Sequence, residues 1–179
     1  ESFGIKETGL GIALIIIAIV AIIYIILIAE ALRVAGRKYF LEARNTENTK
    51  IGIMGEIFKK GNWKNVAITM LLKNIYNLLW YFTIVGGFIK SYEYRMIPFI
   101  LANDPGINKK EAFELSKKMM KGNKWKAFLL DISFILWYIL SIFTFGLLNI
   151  LYVNIYKAST ETELYNTLKD NNIVEKNES

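Results

Sequence analysis

The side chains with a claim to chemistry are few, and they stand where such groups are costly. Lys73, Glu93, Arg95 and Asp131 interrupt long apolar stretches, with Lys90 and Lys157 toward their ends and Asn74, Asn77, Asn149 and Asn154 beside them. A charge taken out of water needs a partner or a water-filled path, so each is a candidate with a structural alternative. Glu93 and Asp131 are the carboxylates that would carry protons if they converged, and their spacing does not bring them together. Asp131 is expected to pair with Lys73 or Arg95, and Lys73 to extend its amine toward the nearest polar surface. The asparagines are expected to hydrogen-bond between helices. Glu93 and Arg95 weigh most, because both fall in the middle of one short apolar segment.

The chain has no cysteine and no histidine. Thiolate chemistry, disulfides, zinc sites of the usual kind and imidazole acid–base work are therefore excluded. No glycine loop for phosphate and no nucleophile elbow is present either. The sequence accordingly names no catalytic residue, no metal site and no cofactor, and the expectation is a protein that is not an enzyme.

The elements that position these residues follow from hydropathy. Hydrophobic residues are 54% of the chain against 21% charged, and they come in blocks rather than at one period. Leu10 to Ala29 carries no charge, and such a run of about 20 residues matches the hydrocarbon core of a bilayer. Ala127 to Tyr156 carries only Asp131. Its flanks, Lys6 and Glu7, and its length make the first run a retained span rather than a cleaved leader.

The positive charge is equally segregated. Of 22 lysines and arginines, eight lie in residues 30–64 and seven in residues 103–126. Basic segments between apolar blocks mark cytoplasmic loops and attract anionic headgroups; a nucleic-acid surface would gather that charge on one folded face. Two cytoplasmic segments require the chain between them to leave and return. The expectation is an all-α, polytopic transmembrane helix bundle of about five spans. It comprises a span at 10–29, a cytoplasmic interfacial segment at 30–62, a first hairpin at 63–102, a cytoplasmic amphipathic helix within 103–124, a second hairpin at 125–160 and a polar, fraying tail at 161–179. Gly86-Gly87 and Gly146 are the expected turns, the first splitting Trp63–Val85 from Phe88–Ala102. The C-terminus is then cytoplasmic.

The hairpins read as parallel copies. Lys60-Gly61-Asn62-Trp63-Lys64 matches Lys121-Gly122-Asn123-Lys124-Trp125-Lys126 with one insertion, and Gly86 then aligns with Gly146, Tyr92 with Tyr152. Between the copies, Asn108 and Glu111 resemble a capping box. Ala112, Phe113, Leu115, Met119 and Met120 share one helical face, opposite Lys110, Glu114, Lys117, Lys118 and Lys121, as in a helix lying in the membrane interface. Trp63, Trp125, Tyr39 and Tyr165 stand near boundaries, where aromatic belts form.

Two segments carry a resemblance. Lys90-Ser91-Tyr92-Glu93-Tyr94-Arg95-Met96-Ile97-Pro98-Phe99-Ile100-Leu101-Ala102-Asn103-Asp104-Pro105, and Glu111-Ala112-Phe113-Glu114-Leu115-Ser116 with Met120 to Lys126 after it, are similar to a bacterial membrane protein family of unknown function, number 975. The likeness runs from about Leu32 to Tyr165. It implies a multi-helix protein of the cytoplasmic membrane with one further helix before Glu1, six crossings in all, and no agreed activity. The chain departs from that pattern at Glu93 and Arg95, where small residues are expected, at Gly86-Gly87 in place of Pro-Gly, and at Val153-Asn154, which lacks a proline. The expected function is an accessory, immunity or envelope-stress component acting through contacts with anionic lipid, a membrane protein partner or its own copies. The alternative is a small transporter or channel with a polar path between the hairpins.

Overall fold

The computed structural model describes residues 2–46, 48–144 and 146–177. Regular structure among them is entirely helical. In chain order it comprises α1 (Ser2–Asn45), 3-10 turns at Ile51–Ile57 and Lys59–Gly61, α2 (Trp63–Tyr81), α3 (Ile84–Glu93), α4 (Ile97–Asn103), α5 (Lys109–Met120), α6 (Lys124–Phe143), a π-helical stretch Asn149–Val153 and α7 (Asn154–Asn177).

The expected first span and the start of the basic segment after it form one uninterrupted rod. α1 has 44 residues, about 66 Å and roughly twice a hydrocarbon core. Nothing in Glu30-Ala31-Leu32-Arg33-Val34-Ala35 breaks a helix, and Arg33 donates back to Glu30 at 3.1 Å, one turn away. Burial divides the rod instead. The side chains of residues 11–26 are all exposed, whereas Ala31, Val34 and Ala35 are fully covered by other helices.

What covers them is built around α4. This helix was expected as part of a membrane-returning span, but Ile97 to Ala102 are all buried in protein. Ile97 and Leu101 join Val34, Val66, Met70 and Phe113 in one cluster, while Phe99 and Ile100 join Met119, Met120, Tyr165 and Leu168 in another. A helix apolar all round needs such enclosure. Its length is set locally: Pro98 occupies the first turn, and Asp104 is extended, as a residue before proline must be, with Oδ1 accepting from the Gly106 N–H at 2.9 Å.

α5 begins where expected, with the Asn108 side chain accepting from the Lys110 N–H at 2.9 Å. Its apolar face does not meet an open interface: Ala112, Phe113, Ser116, Met119 and Met120 are buried in the same core, leaving Lys117, Lys118 and Lys121 exposed. The polar tail is not frayed over its described part. α7 runs to Asn177, and Glu161, Tyr165 and Leu168, at helical spacing, are buried.

The two apolar hairpins differ from each other. In the second, α6 turns at Gly146, whose φ of 81° suits glycine, and the return is antiparallel. Ser141 Oγ accepts from the Asn149 N–H at 3.2 Å, Trp137 meets Tyr152 at 5.6 Å and Phe134 meets Tyr156 at 5.7 Å. In the first, the chain turns at Phe82-Thr83, before the glycine pair, and Thr83 is extended. Gly86 and Gly87 lie inside α3 and serve close approach, not turning. A Cβ on Gly87 would stand 2.9 Å from Tyr81 Cα and 3.1 Å from the Trp80 carbonyl. The expected alignment of Gly86 with Gly146 thus fails, while Gly61 (φ 72°) and Gly122 (φ 77°) each lead into a helix start in the same left-handed conformation. The expected return helix of hairpin one is also divided, into α3 and α4, by the corner at Tyr94–Met96.

α2 meets α1 at two points: Trp63 stands edge-on to Tyr24 at 6.2 Å, and Glu30 accepts from Asn74 at 2.8 Å. By length and hydropathy, the helices able to cross a membrane are the α1 rod from Gly11 and α6. α2 is long enough, but Lys64, Asn65, Lys73, Asn74 and Asn77 dilute it.

Gly87→Ala is expected to lower stability by about 1–3 kcal/mol through overpacking. Gly36→Ala, in α1 with nothing within 4 Å of the new methyl, is expected to raise it by roughly 0.5–1 kcal/mol. Thermal melts in one detergent compare them, and equal shifts would contradict the close approach of α3 to the end of α2.

Candidate functional site

Arg95 is aimed by the corner between α3 and α4. The last turn of α3 tightens, with Tyr94 N donating to Lys90 O at 3.0 Å and Arg95 N to Tyr92 O at 3.2 Å. That geometry ends the helix and turns the next side chain toward α6 and α7. There Arg95 grips Asp131 with both arms of its fork, Nη1 to Oδ2 at 2.6 Å and Nη2 to Oδ1 at 2.9 Å. Nη2 also reaches Glu161 Oε1 at 3.2 Å. Two-armed contact fixes direction as well as distance, which a lysine at this place would not do.

Each carboxylate has further partners. Asp131 Oδ2 accepts from the Tyr92 hydroxyl at 2.8 Å, and Lys157 Nζ stands 3.9 Å from Oδ1. The other oxygen of Glu161 pairs with Arg37 of α1 at 2.8 Å. The Arg37 guanidinium lies 4.9 Å from the Phe99 ring, which stacks on Tyr165 at 5.4 Å. Burial pushes the Tyr165 hydroxyl up to about 12, so that ring acts as neutral packing. The cluster thus ties α1, α3, α6 and α7 with two carboxylates and three cations, and Arg95 and Glu161 side chains are only 13% and 10% exposed.

Glu93, next but one to Arg95, belongs to a different set. Its carboxylate takes Lys90 at 2.6 Å and Lys124 at 2.5 Å, and its main-chain oxygen accepts from Ser116 of α5 at 2.6 Å. A third set joins α1 to α2 through Glu30 and Asn74.

Of the residues singled out in sequence, the structure therefore brings together Arg95 and Asp131, with Lys157 close by. Asp131 pairs with Arg95 rather than Lys73. Lys73 is half-buried beside Glu30 with no ion pair within 4 Å among the described residues, Asn77 has a buried Oδ1 without a hydrogen-bond partner, and Asn154 is exposed. Glu93 and Asp131 do not converge. The Glu93 carboxylate is engaged by two lysines, and that of Asp131 by Arg95 and the Tyr92 hydroxyl.

Arg37 and Glu161 were missed by sequence reasoning. The available signal was period: Glu161, Tyr165 and Leu168 fall at i, i+4 and i+7, as do Val34, Arg37 and Leu41 at i, i+3 and i+7, inside segments whose polarity suggested solvent.

Arg95→Ala takes from the half-buried Asp131 its two-armed partner and is expected to cost about 3–5 kcal/mol. Replacing the pair together, Arg95→Met with Asp131→Leu, is expected to recover most of that loss, because two partnered charges exchanged for apolar groups leave little uncompensated. Unfolding in mild detergent reads both; a double variant as damaged as the single one would show that the pair does more than hold helices.

The sequence profile of a family described as "Protein of unknown function (DUF975)" matches residues 10–172, a stretch that contains every member of the three polar sets. No curated protein and no solved structure matches the chain. With so much of its length matched, the chain belongs to the DUF975 family.

Proposed function

We propose that this chain is a non-enzymatic, multi-pass protein of the bacterial cell membrane that works through contacts with lipid or with a membrane partner. The single observation that carries the reading is the division of labour among its polar groups: the carboxylates of Glu93, Asp131 and Glu161 pair with cations of other elements, while the exposed surface of α1 and of the second hairpin is apolar. Paired charges hold helices together and leave no open polar route, which supports a structural or binding role over transport.

Lengths refine the arrangement. The exposed part of α1 and the 20-residue α6 each match a hydrocarbon core of about 30 Å. The chain from Leu147 returns beside α6 and continues without a break as α7, which supports reading the second hairpin as a pair of crossings. α3 has ten residues, about 15 Å, half the thickness required. That length supports a re-entrant first hairpin that enters and leaves by the lysine-rich face. Five full crossings then become three crossings and a re-entrant pair, with the start of α1 outside and α7 ending in the cytoplasm.

Because the chain has no native cysteine, single cysteines at Thr46, Phe82, Lys118 and Gly146 can be probed with an impermeant thiol reagent on intact cells. Labelling from outside is expected at Gly146 alone, with Thr46 and Lys118 reacting only after permeabilisation. External labelling of Phe82 restores the five-span bundle, and labelling of none from outside removes the second crossing pair. In proteoliposomes, ion or proton flux above protein-free vesicles that falls on Asp131→Asn would replace the non-enzymatic contact reading with transport.

A further inference from the structure

A cavity of about 510 Å³ lies apart from the ion cluster, between α2 and α5. That size falls within the range of about 300–1,000 Å³ typical of small-molecule sites. Its apolar wall is aromatic: Tyr76 meets Phe113 edge-on at 5.4 Å, Phe113 meets Tyr94 at 5.1 Å, and Trp80 extends the wall along α2. Tyr94 and Phe113 are 5% and 9% exposed, so they form a fixed floor rather than loose surface.

The rim has the opposite character. Lys109, Lys110 and Lys117 line it, with one carboxylate, Glu114, among them. None of the three lysines has a carboxylate oxygen within 4 Å among the described residues. Lys109 and Lys110 also stand in the first turn of α5, where a cation is the unfavourable sign until an anion joins it. The same end of α2 carries exposed apolar side chains, Leu78, Leu79 and Phe82 being 63%, 58% and 84% exposed. The groove's chemistry fits an occupant that is apolar at one end and anionic at the other.

We propose that the groove between α2 and α5 holds one anionic phospholipid of the inner leaflet, its phosphate between Lys109, Lys110 and Lys117 and an acyl chain against Tyr76, Trp80 and Phe113. The assignment rests on the membrane reading above. It gives the lysine face of α5 a partner of definite chemistry. A lysine near an anionic membrane surface contributes roughly fivefold in affinity, so the three together set a preference for anionic over zwitterionic lipid of at least about tenfold.

The test uses the full chain with Trp63, Trp125 and Trp137 changed to Phe, leaving Trp80 as the reporter. The protein is reconstituted in phosphatidylcholine bilayers containing a minor fraction of either brominated phosphatidylglycerol or brominated phosphatidylcholine, bromines near the top of the chain. Quenching by the anionic lipid is expected to exceed that by the zwitterionic one at equal fraction. The excess should vanish in the K109Q/K110Q/K117Q variant, whose circular dichroism and melting serve as the folding control. Equal quenching by both lipids overturns the lipid site while leaving the membrane reading intact. An excess that survives the triple substitution overturns the lysine site. Absence of quenching with concentration-dependent dimerisation assigns the groove to a second copy and also overturns it. Failure of the chain to float with vesicles of either composition fails the membrane reading itself.

Discussion

The two-armed grip of Arg95 on Asp131 is the contact on which the arrangement of helices depends. Arg95 lies at the corner where α3 becomes α4, so whatever holds its guanidinium also fixes the angle between a membrane-side helix and the buried centre of the protein. Glu161 takes the remaining reach of the same fork and passes the constraint to Arg37 on α1. Elements far apart in the chain are thereby set by one group of charges whose alternatives, singly exposed to oil, cost several kilocalories each. Hydrophobic packing alone would not select this arrangement, since in a bilayer apolar faces gain little by choosing one another over lipid.

The ion cluster lies between two kinds of surface. On one side are the residues that other helices enclose: the second half of α1, the start of α2, all of α4, the apolar face of α5 and the buried turns of α7. On the other side, the first half of α1, the end of α2 and the hairpin of α6 present rows of exposed Ile, Leu, Phe and Trp. Such a surface is unacceptable in water and ordinary in hydrocarbon. The protein is thus half a conventional packed core and half a set of apolar projections, and the charges sit at the join, where both halves can pair them.

This division explains what was legible in the sequence. Helix was readable everywhere because long apolar runs without β alternation leave few other choices. The candidate pair Arg95 and Asp131 was readable because charges in apolar surroundings announce themselves. The hairpin through Ile97-Pro98-Phe99-Ile100-Leu101-Ala102 was misread because hydropathy reports that a segment avoids water, not what replaces the water; here protein does. Residues 161–177 were misread for the converse reason, as a polar helix with a narrow buried stripe at Glu161, Tyr165 and Leu168. Gly86 and Gly87 show the same ambiguity in small: glycine can serve a turn or a close contact, and here the missing Cβ matters for contact.

The duplicated Gly-Asn motif shows how far internal similarity extends. Gly61 and Gly122 share a left-handed conformation and each opens a helix, so local sequence dictates local structure in both copies. The copies then diverge because their surroundings do. α2 begins against Tyr24 of α1 and is drawn across it, whereas α6 begins beside Glu93, through Lys124, and runs freely to a glycine turn. One starting motif therefore yields a short pair that lies against the core and a long pair that leaves it. The short pair is the one that borders an aromatic groove beside the lysines of α5. Asymmetry between two similar halves, rather than their likeness, is what gives this protein a surface with chemical character.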